Sequence, residues 1–175
     1  MDALREEAGV SLRRLYRLYP SKDSLVAAYL RRRDERWRSW LRLSVKERCP
    51  QPRERPLAVF DALAEWFADE AFRGCALVNA SAELGDSTPT VRRQAADHKR
   101  AVRAYLAELL TEAGRAQDDA NDLAAQMMLL VDGAIVQASI AGDADAARRA
   151  KAMAEHLVLA STSGRAGLAD APRRS

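Results

Sequence analysis

Glycine and proline punctuate this 175-residue chain at intervals, and between them run long stretches of Ala, Leu, Arg and Glu with few β-branched residues. Such stretches favour helix at nearly every position and leave little that favours strand. The breaks fall at Gly9-Val10-Ser11, Pro20-Ser21, Cys49-Pro50-Gln51-Pro52, Gly74, Gly85-Asp86, Gly114 and Gly142. They predict eight helices and no strand, with no internal repeat of fixed period. The helices are expected over about 2–8, 12–19, 21–48, 56–72, 75–84, 87–113, 118–141 and 143–162.

Local chemistry at the breaks agrees. Ser21 is a candidate N-cap with Ser24, not Glu, three residues later, which supplies half of a capping box. Pro56 suits a first helical turn, and Asp118-Asp119 suit the positive end of a helix dipole. Apolar residues recur at helical spacing. Val59, Leu63 and Trp66 form one stripe with Phe60 and Phe67 on its flank. Val91, Ala95, His98, Val102, Tyr105 and Leu109 form a second, and Met127, Val131, Ala134, Ala138 and Ala141 a third. Helices with one face to bury make an all-α bundle. The small residues Ala134, Ala138, Ala141, Ala147, Ala150 and Ala154 are expected to let the last two helices approach another pair across a two-fold axis, giving a homodimer.

Hydrophobic residues make up 48% of the chain and charged residues 30%, enough apolar matter for a core. No run approaches eighteen consecutive apolar residues, and the N-terminus has no apolar signal-like segment, so a cytoplasmic protein without a membrane partner is expected. Cys49 and Cys75 lack further Cys or His at metal-ligand spacing, which argues against zinc, and no disulfide or cofactor is expected. Glu83 with His98, or Cys75 with His98, can be imagined as a catalytic pair, but no set of nucleophile, base and orienting group, no phosphate-binding Gly-rich loop and no metal spacing backs it, so the sequence does not read as an enzyme. The charge is uneven. Residues 1–44 hold eleven Lys/Arg against six Asp/Glu, while the rest is slightly acidic. A basic head on an acidic body points to a polyanion at one end.

Residues 4–19 carry the most specific signal. Leu4 and Ala8 share one face of a short helix, Gly9 suits a tight helix end, Val10 plugs the turn, and Ser11 caps the next helix. On that helix Leu15 and Leu18 are expected to point inwards, leaving Arg13, Arg14 and Arg17 outside, an arrangement that lets the second helix lie in a DNA major groove. The run from Ala8 to Leu25 resembles the TetR/AcrR family pattern A-G-V-S-x-x-x-L-Y-x-x-F-x-S-K-x-x-L, with Tyr19 in place of Phe. The resemblance implies a DNA-binding face of Ser11, Leu12, Arg13, Arg14, Tyr16, Arg17 and Lys22, with Tyr16 and Lys22 on phosphates and residues 12–14 and 17 towards bases. Arg5 stands where the family prefers Ala, and Leu12 where it often has a polar residue. The family also carries a further helix ahead of the one expected over Asp2–Ala8, so a helix-turn-helix head lacking its first family helix is expected.

Further on, Phe72-Arg73-Gly74-Cys75-Ala76-Leu77-Val78-Asn79-Ala80-Ser81-Ala82-Glu83 resembles the family's F-x-G-C-x-x-x-N-x-x-x-E segment. The resemblance implies a head at 1–44, of which 21–44 links to the body, a ligand-binding and dimerisation domain at 45–162, and a tail at 163–175 expected to be disordered. The implied function is a repressor released from a palindromic operator on double-stranded DNA by a small-molecule inducer. The alternative is a dimeric ligand-binding helical protein whose incomplete head does not bind DNA. Candidate pocket residues are Trp66, Phe67, Cys75, Asn79, Glu83, His98, Tyr105, Met127 and Met128. Each has a second reading. The aromatic and Met side chains suit an ordinary core, and His98 suits a hydrogen-bonded core position. Asn79 and Glu83, one turn apart, suit a structural hydrogen bond. Cys75, near a helix start, is a candidate redox or electrophile sensor.

Overall fold

A computed structural model describes Gly9 and residues 11–163, with side chains as far as residue 160. The helix expected over Asp2–Ala8 and the tail beyond Ser163 lie outside the described residues. Among those described there is no strand, and seven α-helices follow in order: α1 (Leu12–Leu18), α2 (Lys22–Arg48), α3 (Arg55–Ala68), α4 (Ala76–Leu84), α5 (Pro89–Glu112), α6 (Gln117–Ala141) and α7 (Ala146–Ser163), with a 3-10 turn at Pro52–Glu54 before α3.

Most ends lie where the punctuation places them. The Ser21 cap is more complete than expected. The Ser24 amide donates to Ser21 Oγ at 3.1 Å, and the Ser21 amide donates back to Ser24 Oγ at 3.1 Å. A serine hydroxyl thus fills the role that Glu usually takes in a capping box. Helix α3 stops at Ala68 and not near Phe72. The Asp69 carboxylate accepts the Ala71 amide at 2.8 Å, an Asp turn that competes with helix continuation. At the end of α6, Gly142 takes φ +66°, a conformation that side-chain-bearing residues rarely adopt, and its amide closes on the Gln137 carbonyl. The last helix begins at Ala146, three residues later than expected, because Asp143 Oδ1 accepts the Asp145 amide in a turn that precedes it, and it runs one residue into the expected tail.

The chain forms two compact units that interleave along the sequence. The first contains the described residues up to Arg38 together with Cys75–Lys99, and the second contains Ser39–Gly74 with the described residues from Arg100 onward. In the first unit the buried apolar residues are Leu15, Leu30, Cys75, Leu77, Val91 and Ala95, and the Gln94 amide nitrogen donates to the Ala27 carbonyl at 2.9 Å. The second unit is built on α3, α6 and α7 packed on one another. Phe60, Leu63, Leu106, Leu110, Met127 and Val131 are fully buried within it. Around this core lie ion pairs between Lys151 and Asp61, Arg42 and Glu108, Arg55 and Glu112, and Arg48 and Glu65. The Arg42 guanidinium also stacks 4.2 Å from the Tyr105 ring centre.

Two expectations about faces are corrected. Ala134, Ala147, Ala150 and Ala154 are buried within the chain, where their small size lets α6 and α7 approach each other closely; they are not a free surface for another pair. Leu18, expected to point inwards with Leu15, is 60% exposed, since a helix of only seven residues buries one apolar position, Leu15, and its last turn stays open.

Candidate functional site

The basic face expected on α1 is present and open. Ser11 takes an extended conformation and its Oγ accepts the Arg14 amide at 3.3 Å, so the helix starts where the sequence places it. Gly9, with φ +60°, supplies the left-handed turn before it. Arg13, Arg14, Tyr16 and Arg17 are exposed on α1, Ser11 is exposed at its cap, and Leu12 is half-buried. Lys22 is exposed at the first position of α2. Leu15 is the buried residue that anchors the opposite face. The helix therefore offers three guanidiniums and a phenol on one short segment, donors suited to phosphate and to guanine edges.

The same unit holds a buried polar relay. Cys75 and His98 are 7% and 4% exposed, and Cys75 Sγ lies 3.7 Å from His98 Nε2. On the other side of the ring, His98 Nδ1 donates to Asp34 Oδ1 at 2.7 Å, and Arg38 Nε donates to the same oxygen at 2.9 Å. Trp37 meets the imidazole edge-on, ring centres 5.4 Å apart. Burial pushes the Cys75 thiol up, but the His98 hydrogen bond and charge outweigh it, so the thiol titrates below its ordinary range. Burial pushes His98 down, and Cys75 and Asp34 together raise it. Asp34, raised by burial, is held below the usual carboxylate range by Arg38 and His98. The three side chains form a line of acceptor, imidazole and thiol, in which the carboxylate fixes the ring and favours its protonated form.

An exposed apolar stripe runs along α6. Leu129, Val136 and Ile140 are 74%, 46% and 83% exposed, and Gly133 between them has open space where a side chain would stand. Met153 and Leu159 are exposed on α7. By composition α6 is long and apolar enough to cross a membrane. Its apolar residues divide between two faces, one buried against α3 and α7 and one bearing this stripe.

Residues 52–154, more than half of the chain, match the tetracyclin repressor-like C-terminal domain family. The chain belongs to the TetR family. Two solved structures are similar along nearly its whole length. One is a TetR-family transcriptional regulator from Streptomyces coelicolor, 26% identical, with a TM-score of 0.76 over 90% of this chain and 76% of that one. The other is a putative TetR transcriptional regulator from Streptomyces avermitilis, 30% identical, with a TM-score of 0.72 over 91% of this chain and 85% of that one. Among curated proteins none matches.

Within this TetR-family chain the nine candidate pocket residues fall into both units. Cys75, Asn79, Glu83 and His98 lie in the first. Cys75 and His98 meet, whereas Asn79 and Glu83 are exposed on α4 and not buried with them, because the residue that α4 turns inwards after Cys75 is Leu77. Trp66, Phe67, Tyr105, Met127 and Met128 lie in the second unit. Met127 and Met128 are buried in its core, and Trp66 and Phe67 join Trp40 and Phe72 in an aromatic cluster with ring centres 4.9 to 6.5 Å apart. The hydroxyl of Tyr105 is pushed up to about 12 by burial and the nearby Glu108 and Glu112, so it stays protonated. Asp34 and Arg38 are hidden in sequence by the charged run Arg31-Arg32-Arg33-Asp34-Glu35-Arg36, which reads as a solvated helix face. A signal is present all the same: Leu30, Asp34, Trp37 and Leu41 recur at steps of four, three and four, which places the carboxylate on the inward stripe of α2.

Proposed function

We propose that this TetR-family chain is a DNA-binding transcriptional repressor that works as a homodimer on a palindromic operator and is released by a small-molecule ligand. The observation that carries the reading is the capped, exposed face of Arg13, Arg14, Tyr16 and Arg17 on α1, with Lys22 opening α2. On this reading Tyr16 and Lys22 hold phosphates while Arg13, Arg14 and Arg17 approach base edges, each good bidentate pair with guanine discriminating by about 1–3 kcal/mol. Membership of the family and likeness to two regulators support it, and regulation, not turnover, is the activity expected. The exposed stripe of Leu129, Gly133, Val136 and Ile140 supports the dimer, since a contiguous apolar helix face is stable when covered, and a glycine at its centre lets a second helix come close. The half-buried aromatic cluster around Trp66 and the buried Met127 and Met128 support an apolar inducer site, lined by side chains that adapt to varied shapes.

The test is fluorescence anisotropy with duplex DNA from upstream of the chain's own gene. Specific binding is expected to weaken steeply with salt, by a factor of about a thousand or more between low and physiological ionic strength, as counterions are released from contacted phosphates. Arg14→Ala and Tyr16→Ala are each expected to abolish binding while leaving the sedimentation coefficient unchanged. Binding that survives both substitutions sinks the assigned face. No salt-dependent binding at all, with ligand binding and dimer intact, leaves the protein a ligand-binding dimer that does not contact DNA.

A further inference from the structure

Cys75 has three features that a buried structural cysteine does not need. Its sulfur faces the Nε2 of a histidine at 3.7 Å, that histidine is tethered through Nδ1 to Asp34 at 2.7 Å, and Asp34 is itself held by Arg38 at 2.9 Å. A plain core thiol is satisfied by apolar neighbours, and a plain core histidine by one carbonyl. Here the order carboxylate, imidazole, thiol stabilises a thiolate beside an imidazolium, the state in which sulfur is a nucleophile. Cys75 also stands at the N-cap of α4, where the helix dipole favours negative charge.

The same unit contains an open cleft of about 480 Å³ lined by Val78, Ser81, Ala82, Arg92, Ala95 and Lys99 among others. Val78 lies one turn beyond Cys75 on α4, and Ala95 one turn before His98 on α5. The cleft wall thus begins one helical turn from the thiol and imidazole, and its volume suits a small organic molecule. Cys49 offers a contrast within the chain. It is equally buried, but its thiol donates to the Gln51 carbonyl and lies 3.5 Å from the Glu54 carboxylate, and burial and that negative charge hold it above the ordinary cysteine range.

We propose that Cys75, with His98 and Asp34 behind it, is a covalent modification site for small α,β-unsaturated carbonyl electrophiles such as enones, quinones and maleimides. The thiolate attacks the β-carbon and a carbon–sulfur bond forms. The π pair of the C=C bond moves to the α-carbon as an enolate, and His98 Nε2 gives its proton to that carbon. The imidazole is left neutral, still donating through Nδ1 to Asp34. Atoms and electrons balance without an oxidant. Adduct formation removes the imidazolium charge that holds Asp34 on α2, so the adduct also loosens an anchor inside the unit that carries α1. The reactivity itself stands whether or not the chain binds DNA.

The experiment uses the full chain at neutral pH with N-ethylmaleimide, following each cysteine by peptide mass mapping. Cys75 is expected to be alkylated at least about tenfold faster than Cys49, and His98→Gln to slow Cys75 about tenfold without changing Cys49, as loss of a thiolate-stabilising partner requires. Asp34→Asn, which keeps the ring but weakens its tether, is expected to slow Cys75 by a smaller factor. Equal rates at the two cysteines, or a Cys75 rate indifferent to His98→Gln, overturns the proposal. Should the His98 variant fail to fold, ultraviolet thiolate absorbance of the native chain minus that of Cys75→Ser decides. Absorbance below the ordinary cysteine titration range supports the proposal, and its absence there overturns it.

Discussion

The two units solve the problem of a helical interior in opposite ways. In the second, the buried side chains are apolar almost without exception, Ser44 being the one polar residue among those described, and the charges sit outside as exposed or half-exposed pairs. In the first, His98 and Thr88 are buried alongside a short list of apolar residues, and a carboxylate, an imidazole and a thiol are linked through the interior, with the half-exposed Arg38 guanidinium on the carboxylate. Apolar burial is non-directional and tolerant of its surroundings, which suits a scaffold. A buried polar relay requires each partner in place and changes when any one gains or loses a proton, which suits a responsive element. The α1 face proposed to meet DNA belongs to the responsive unit, and the stripe proposed to meet a second copy belongs to the scaffold.

The contrast can be broken most sharply by truncation. Leu63→Ala in the second unit, at a position with no solvent exposure, is expected to cost about 2–5 kcal/mol by chemical denaturation, from lost transfer energy plus the cavity left behind. Asp34→Ala in the first unit removes hydrogen bonds to two charged partners and is expected to cost about 1.5–3 kcal/mol. If the second loss equals or exceeds the first, the polar relay is as much a scaffold as the apolar core, and the distinction fails.

A subtler effect sharpens it. His98 has a folded pKa above its unfolded value, held there by Cys75 on one side and Asp34 on the other against the cost of burial. Its contribution to stability is therefore fully present below the ordinary histidine range and is lost as pH rises through the raised value. His98 titrated by NMR is expected to have a pKa above the ordinary histidine value in the native chain and a lower one in Asp34→Asn, which weakens its tether. A native value at or below the ordinary one contradicts the relay as described. Smallest of all, Lys151→Met breaks a half-exposed pair with Asp61 and is expected to change stability by less than about 1 kcal/mol, since solvent already screens it.

Much of this molecule is legible in its amino-acid order alone, and the reason differs from residue to residue. Ser11, Ser21 and Gly142 act within a few residues of themselves, so helix starts and stops follow from local hydrogen bonding and backbone sterics. The exposure of Arg13, Arg14 and Arg17 opposite Leu15 is likewise a matter of helical period. Where local competition is close, the sequence misleads: Asp69 looks able to continue α3 until its side chain takes the Ala71 amide.

What tertiary structure decides is which of several equivalent faces is covered, and which distant residues meet. Helix α6 is apolar on more than one side, so its pattern does not say that Ala134 is buried against α7 while Leu129 and Ile140 stay outside. Nor does any local rule bring Asp34 to His98 across 64 positions, or His98 to Cys75 across 23. Caps and period are set by interactions a few residues apart, whose geometry the backbone dictates. A meeting between distant side chains depends on how whole helices pack, and that is settled by the sum of many weak apolar contacts that no single residue reveals.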